Sequence, residues 1–147
     1  DSGDRRAGDR GSGDRSTGRG RPEPVEAALT LGPGRVVVTS AFPMLRGGIG
    51  NLFTDGRSAL LAEHRRIDTV PHGVGDLTSA VYLARVLSGL GEERALQTTT
   101  AAVYEILART ARRGADELTL ETDADSLKTP MAMVQMRHLA MPGGRRA

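Results

Sequence analysis

The chain has 147 residues, 38% hydrophobic and 26% charged, with a formal net charge of +2, which fits one domain of ordinary size. It has no cysteine, no tryptophan, two tyrosines and two phenylalanines, which excludes disulfides, zinc sites built on Cys and a base-stacking platform of interleaved aromatics. No apolar run approaches the ~20 residues of a membrane helix, no basic-then-apolar signal opens the chain, and 19 arginines against one lysine read as coding bias before function.

Residues 1–24 repeat Gly-Asp-Arg at 3–5, 8–10 and 13–15 and contain no Val, Ile, Leu, Met or aromatic residue. Nothing there repays the entropy of ordering, so a disordered tail or linker is expected. Gly/Arg-rich segments can bind RNA. Here six Arg oppose four Asp and one Glu, and the interspersed carboxylates cancel the field that attracts phosphate. The expectation is therefore no nucleic-acid partner.

From Val25 the composition changes. Arg35 to Thr39 is a β-branched run after Gly32-Pro33-Gly34, which suits a fully buried strand. Ser40 to Gly50 carries Pro43 and three glycines and reads as a mobile loop. Leu52–Thr54 and Ser58–Ala62 flank Asp55-Gly56, a hairpin turn signal. Ile67 to Val70 is a short strand candidate ending at Pro71. Asp76 to Leu87 reads as a helix with Leu77, Ala80, Val81, Ala84 and Leu87 on one face. Glu92 to Arg112 is a longer helix with the stripe Leu96, Ala102, Val103, Ile106 and Leu107, ended by Gly114. Glu117 to Thr122 alternates like a strand. Val134 to Leu139 is a last strand or a loose tail. The mixture is α/β, and the hairpin implies a sheet that is not purely parallel.

The segment Pro71-His72-Gly73-Val74-Gly75-Asp76 carries the most chemistry. Two glycines precede a strong helix, whose first N–H groups lack partners and carry partial positive charge. Such a turn holds an anion. A carboxylate beside that anion repels it, unless the carboxylate must hold a substrate hydroxyl in line with phosphorus. Read on spacing alone, Asp76 is more simply an ordinary N-cap, and the motif is too short to be specific.

Three stretches occur in order: Val36-Val-Val-Thr-Ser40, Gly73-Val-Gly-Asp-Leu-Thr-Ser79 and Thr99-Thr-Ala-Ala-Val-Tyr-Glu-Ile106. Together they resemble the C-terminal half of pyridoxal kinases, in the ribokinase-like superfamily, from about Gly32 to about Leu139. The resemblance implies a three-layer α/β/α fold, present as a C-terminal ATP-binding part over 25–147. It implies transfer of the ATP γ-phosphoryl group to the 5′-hydroxymethyl of pyridoxal, with Mg2+, in a cytoplasmic protein that forms a homodimer. Carried over, Asp76 matches the catalytic aspartate that meets the substrate hydroxyl. Gly73, Val74 and Gly75 match the anion hole. Thr39 and Ser40 fall where a strand end meets the ATP phosphates, and Arg65, Arg66 and Ile67 fall where the family lines the nucleotide, with a shorter spacing to Asp76. The family's other half supplies most of the pyridoxal pocket and the acidic residues around Mg-ATP, so this chain is expected to be incomplete for activity. A hydroxymethylpyrimidine or sugar kinase, or a non-catalytic ATP-binding remnant, is the alternative.

The remaining polar residues have plainer readings. His72 is a loop residue or sits near the ligand. His64 and His138 lack metal-ligand spacing and are expected on the surface. Asp123 and Asp125 are expected to cap a helix start, Tyr104 to pack and Glu105 to face solvent. Met131, Met133, Met136 and Met141 suggest a gap-filling or exposed terminus.

Overall fold

The computed structural model describes residues 24–41 and 43–141. The Gly-Asp-Arg repeats lie outside the described residues. The described elements are α1 (Pro24–Leu29), β1 (Val36–Ala41), β2 (Gly48–Thr54), β3 (Ala59–Arg65), α2 (Val74–Leu87), α3 (Glu92–Arg113), α4 (Ala124–Lys128) and β4 (Gln135–Leu139).

The strands form one sheet in the order β1-β2-β3-β4, and every neighbouring pair is antiparallel. The β2–β3 turn is built by Asp55, whose Oδ1 accepts the N–H groups of Arg57 (2.9 Å) and Ser58 (2.7 Å). Register follows from the two-residue alternation of apolar side chains. Leu52 and Leu61 point to one face and join Val25, Ala41 and Ala59. Phe53, Leu60 and Ala62 point to the other and join Leu96 of α3. Helix α1 thus covers one face and α3 the other, which gives the expected three layers. Phe53, Leu52, Leu61, Leu96 and Ile106 are each under 2% exposed, and burying each contributes about 1.5–3 kcal/mol.

Helix α3 matches its expected stripe. Leu96, Ala102, Val103, Ile106 and Leu107 are all buried. Glu92 and Glu93 open it, Arg112 and Arg113 close it, and both pairs complement the helix dipole. Helix α2 is turned by about one residue from expectation. Its inner face runs through buried Thr78 and half-buried Tyr82 and Arg85, flanked by the expected Leu77 and Val81, also half-buried, while Ala80, Ala84 and Leu87 are exposed. Arg85 explains the turn: its guanidinium donates to Thr99 Oγ1 (3.2 Å) and to the Leu127 carbonyl (2.7 Å).

Other expectations are corrected. Strand β1 is not fully buried; Val36–Val38 are half-buried on a strand that, among the described residues, pairs only with β2. Both ends of the Ser40–Gly50 loop are strand, because Ser40 and Ala41 end β1 and Gly48 already starts β2. Gly50 fits there because a Cβ on it would meet Leu61 Cδ1 at 2.8 Å. Residues 67–70 form no strand. Neither does Glu117–Thr122, whose one ladder contact is an isolated parallel bridge from Glu117 to His72. Its alternation fails because Thr119 serves a polar cluster, accepting from Arg113 and donating to Asp123. Of the methionines, Met131 and Met133 are exposed, but Met136 and Met141 pack against the two core clusters.

Candidate active site

A cleft of about 620 Å3 opens between the sheet and the start of α2. Strand β2 supplies Ile49, Gly50 and Asn51, and α3 supplies Thr100, Val103, Tyr104 and Leu107. Thr39 and Ser40 from β1, Arg66 and Ile67 after β3, and Gly73, Val74 and Gly75 at the head of α2 line the same space. Residues from Thr39 to Leu107, far apart in sequence, are therefore brought around one opening. Arg65 does not line it; it ends β3, exposed.

The head of α2 is built for close approach. Gly73 takes φ +89 as the N-cap, a left-handed conformation that glycine adopts without a Cβ clash. No side chain caps the helix, and its first intrahelical bond runs from Leu77 N–H to the Gly73 carbonyl at 2.9 Å. The N–H groups of Val74, Gly75 and Asp76 precede that bond and form the positive end of the dipole. A Cβ built on Gly75 meets nothing within 4 Å. Asp76 is not the cap. It sits in the first turn, exposed, directly after the cleft-lining Gly75.

Ser40 is the one non-glycine residue with positive φ among those described, at +54. It falls in a register shift between Val38 and Ala41. A bulge of this kind re-aims side chains, and a left-handed serine costs on the order of 1–3 kcal/mol. The strain is thus located at the cleft, at a position the sequence marked.

Two cleft features escaped sequence reasoning. His64 is not a free surface residue; its ring stacks on Tyr104, with centroids 4.4 Å apart and planes at 28°. Burial holds its pKa below the ordinary value despite a 2.7 Å hydrogen bond to the Arg65 carbonyl. A carbonyl only accepts, so Nδ1 carries the proton and Nε2 is the acceptor of the neutral ring. Beneath the stack, Asn51 Nδ2 donates to Thr100 Oγ1 at 3.0 Å, both residues being buried. The first pair comes from the packing of β3 on α3 and the second from that of β2 on α3, and no local motif announces either.

Two buried carboxylates, Glu63 and Asp123, and the half-buried Glu105 brace the surroundings. Glu63 accepts the N–H groups of Met44 and Leu45 and pairs with Arg137. Burial raises its pKa, but these donors outweigh it and hold the group below its ordinary value. Glu105 does not face solvent. It accepts from Arg109 (2.7 Å), Ser126 Oγ (2.9 Å) and the N–H groups of Met131 and Ala132. Asp123 occupies the N-cap position of α4 but makes no side-chain cap. Its carboxylate takes two bonds from Arg113, at 2.6 and 2.9 Å, and one from Thr119 at 2.7 Å. The Arg113 guanidinium above all holds Asp123 far below the usual carboxylate range. Among the described residues no three His, Cys, Asp or Glu side chains gather as a metal cage, and no helix is long and apolar enough to cross a membrane.

No family model matches the chain. It is 36% identical over 124 residues to pyridoxal kinase PdxY of Rubrobacter xylanophilus, across 78% of this chain and 41% of that protein. It is 34% identical over 108 residues to the Leifsonia xyli pyridoxal kinase PdxY, across 72% of this chain and 38% of that protein. The chain thus spans about two-fifths of the length of the curated relatives it matches. Among solved structures, a Bacteroides thetaiotaomicron protein described as a phosphomethylpyrimidine kinase superposes with TM-score 0.68 at 17% identity, over 78% of this chain and 41% of that one. Pyridoxal kinase from Entamoeba histolytica superposes with TM-score 0.67 at 20% identity, over 78% and 42%. Pyridoxal kinase from Staphylococcus aureus, solved in complex with ADP, superposes with TM-score 0.56 at 13% identity, over 76% and 41%. In sequence the chain is similar to part of the pyridoxal kinases, and its fold is ribokinase-like.

Proposed function

We propose that the chain carries the phosphoryl-transfer part of an ATP-dependent pyridoxal kinase. The observation that supports this reading best is the head of α2: Gly73, Val74 and Gly75 line a cleft at a helix start that no side chain caps, with the exposed Asp76 carboxylate next in line. The γ-phosphoryl group is placed against the N–H groups of that helix start, whose dipole offsets its negative charge. The pyridoxal 5′-hydroxyl oxygen forms the new bond to phosphorus as the bond to the β–γ bridging oxygen breaks and ADP leaves. The hydroxyl proton passes to the Asp76 carboxylate. Such transfers have a loose transition state, so the main task of Asp76 is to orient the hydroxyl, with proton acceptance late.

Thr39 and Ser40 lie where the phosphate chain enters, and Arg66 and Ile67 border the nucleotide. Mg2+ bound with ATP neutralises phosphate charge. Its protein ligands belong to the part of the fold outside the two-fifths spanned here. The curated relatives are named pyridoxal kinases, so pyridoxal is the acceptor proposed ahead of hydroxymethylpyrimidine or a sugar. The same reading gives a cytoplasmic enzyme of small molecules, homodimeric and without nucleic-acid or membrane partners, whose ATP-binding part follows a Gly-Asp-Arg tail.

The test joins this chain to the unmatched part of the Rubrobacter xylanophilus kinase and measures phosphate transfer to pyridoxal. Asp76→Asn is expected to lower turnover by roughly 10^2–10^4, the usual share of a positioned acid–base group, while calorimetry still shows ATP binding. Undiminished turnover in that variant removes the assigned role. ATP binding without transfer in the parent fusion makes the chain a non-catalytic remnant.

A further inference from the structure

The charge around the cleft is one-sided. Among its lining residues Arg66 is the one fixed cation, His64 and His72 are the imidazoles, and none is a carboxylate. Asp68 and Asp76 adjoin lining residues but are exposed and do not line the space. A recess of about 620 Å3 has the size of a small-molecule site, and this lining favours an anionic occupant. His64 is the titratable member of the back wall to which the phosphoryl transfer above gives no task.

The fold aims this imidazole. His64 lies opposite Ile49 in the β2–β3 register, and both face the cleft. The alternation of β3 sends the preceding Glu63 to the other face of the sheet, where it pairs with Arg137. Tyr104 stacks on the ring and fixes its plane. The bond from Nδ1 to the Arg65 carbonyl fixes its rotation and leaves Nε2 on the opposite edge. No described residue bonds to Nε2, and no described side-chain nitrogen is both buried and without a partner. Nε2 of the half-buried His64 therefore opens to the cleft.

The other charged groups around the ring are already engaged or point away. Arg65 is exposed and does not line the cleft. Glu105, next to Tyr104, is turned to Arg109, Ser126 and the amides of Met131 and Ala132. On β4, Arg137 is held by Glu63 and His138 faces Glu93. Strands β1 and β2 bring no titratable group to the lining. Nothing in the chain thus offers Nε2 an acceptor, and burial keeps the ring neutral. A polyphosphate in the cleft reverses that balance, because a nearby opposite charge favours the protonated form. Imidazolium has a donor at each nitrogen, so Nδ1 keeps its carbonyl while Nε2 gains a partner.

We propose that His64 is a nucleotide-contacting residue, and that entry of a nucleoside polyphosphate is coupled to uptake of one proton from solvent at Nε2, which then donates to an anionic oxygen of the ligand. The identity of the ligand rests on the kinase reading above. The coupling is reciprocal: a ligand that strengthens proton binding is itself held more tightly where protons are available. Nucleotide affinity then carries a pH dependence that is set on β3, apart from Asp76.

The chain has three histidines, so proton NMR of their Cε1–H resonances reads each titration separately. His72→Asn and His138→Asn, both at exposed positions, assign two of them, and the third is His64. Adding ATP is expected to raise the midpoint of His64 by about one pH unit. That corresponds to a dissociation constant for ATP about tenfold lower at the acid end of the range from about pH 5.5 to 8 than at the alkaline end. The dependence is read relative to His64→Phe, which keeps an aromatic ring on Tyr104 and lacks the proton site; the titration of ATP itself is common to both proteins and cancels. If ATP binds by calorimetry but leaves the His64 midpoint unmoved, or moves that of His72 alone, the proposal is overturned and the kinase reading stands. If ATP does not bind at any pH, the nucleotide reading of the cleft is removed, and the proposal with it.

Discussion

His64 and Tyr104 stack face to face across the back of the cleft, with ring centroids 4.4 Å apart, and tie strand β3 to helix α3. The imidazole is held neutral by burial. Its proton-binding state therefore separates the folded from the unfolded chain. Below the ordinary histidine value of about 6.5, the unfolded chain takes up a proton that the folded one resists. Stability is then constant above that pH and falls as the pH drops through it. Chemical denaturation at pH 5.5 and 7.5 is expected to show this loss in the parent and a smaller one in His64→Phe. Tyr104→Leu is expected to lose about 0.5–1.5 kcal/mol of aromatic pairing at either pH.

The Asp123 carboxylate is 1% exposed and Arg113 40%. Asp123→Ala removes the carboxylate that pairs with Arg113 and accepts from Thr119, while Arg109 keeps Glu105. Breaking a buried pair costs about 3–5 kcal/mol. The lower end applies here, because Arg113 keeps water on part of its side chain. Acid acts on the same site. The pKa of Asp123 is depressed on folding, so its contribution is fully present above about pH 4 and is lost progressively as the pH falls below it. Thermal melts between pH 2 and 5 are expected to fall more steeply for the parent than for Asp123→Ala.

What the sequence made legible has a common cause. The α3 stripe, the Asp55-Gly56 turn and the glycine-led start of α2 are local patterns, and each is found where expected. The misread residues are those whose partners lie far along the chain. Glu105 reads as a solvent-face residue until Met131 and Ala132 fold back onto it, 26 and 27 positions away. His64 reads as a surface histidine until the register of β3 against α3 is known. The inner face of α2 is misplaced because an arginine, paired with Thr99 and Leu127, occupies a position that hydropathy assigns to water. The candidate site shows the same division: its anion-binding turn is contiguous in sequence, and its back wall is assembled from β2, β3 and α3.

Glu63 offers a test of how the β1–β2 connection is held. One of its oxygens accepts the N–H groups of Met44 and Leu45, and the other meets Arg137. Glu63→Gln keeps the shape and removes the charge, and hydrogen bonds to charged groups contribute about 1.5–3 kcal/mol. A loss near the lower figure is expected, since Arg137 is 40% exposed. The local readout is hydrogen exchange at Met44 and Leu45, which is expected to accelerate in the variant while exchange in α3 is unchanged. Unchanged exchange at both amides assigns the order of this connection to other contacts.

Gly75 separates folding from chemistry. Its Cβ position is empty space, and alanine is favoured over glycine inside a helix by up to ~1 kcal/mol. Gly75→Ala is therefore expected to melt at or slightly above the parent temperature. The methyl group would enter the space assigned to the transferring phosphoryl group, where glycine permits close backbone approach. In the joined kinase, Gly75→Ala is expected to lower kcat/KM for ATP by at least 100-fold, about 2.7 kcal/mol of transition-state stabilisation. Asp76→Asn leaves that space open, so its ATP affinity stays close to that of the parent while its turnover falls. The two neighbouring substitutions thus divide binding from transfer. If Gly75→Ala turns over ATP at the parent rate, the phosphoryl group does not sit at the head of α2.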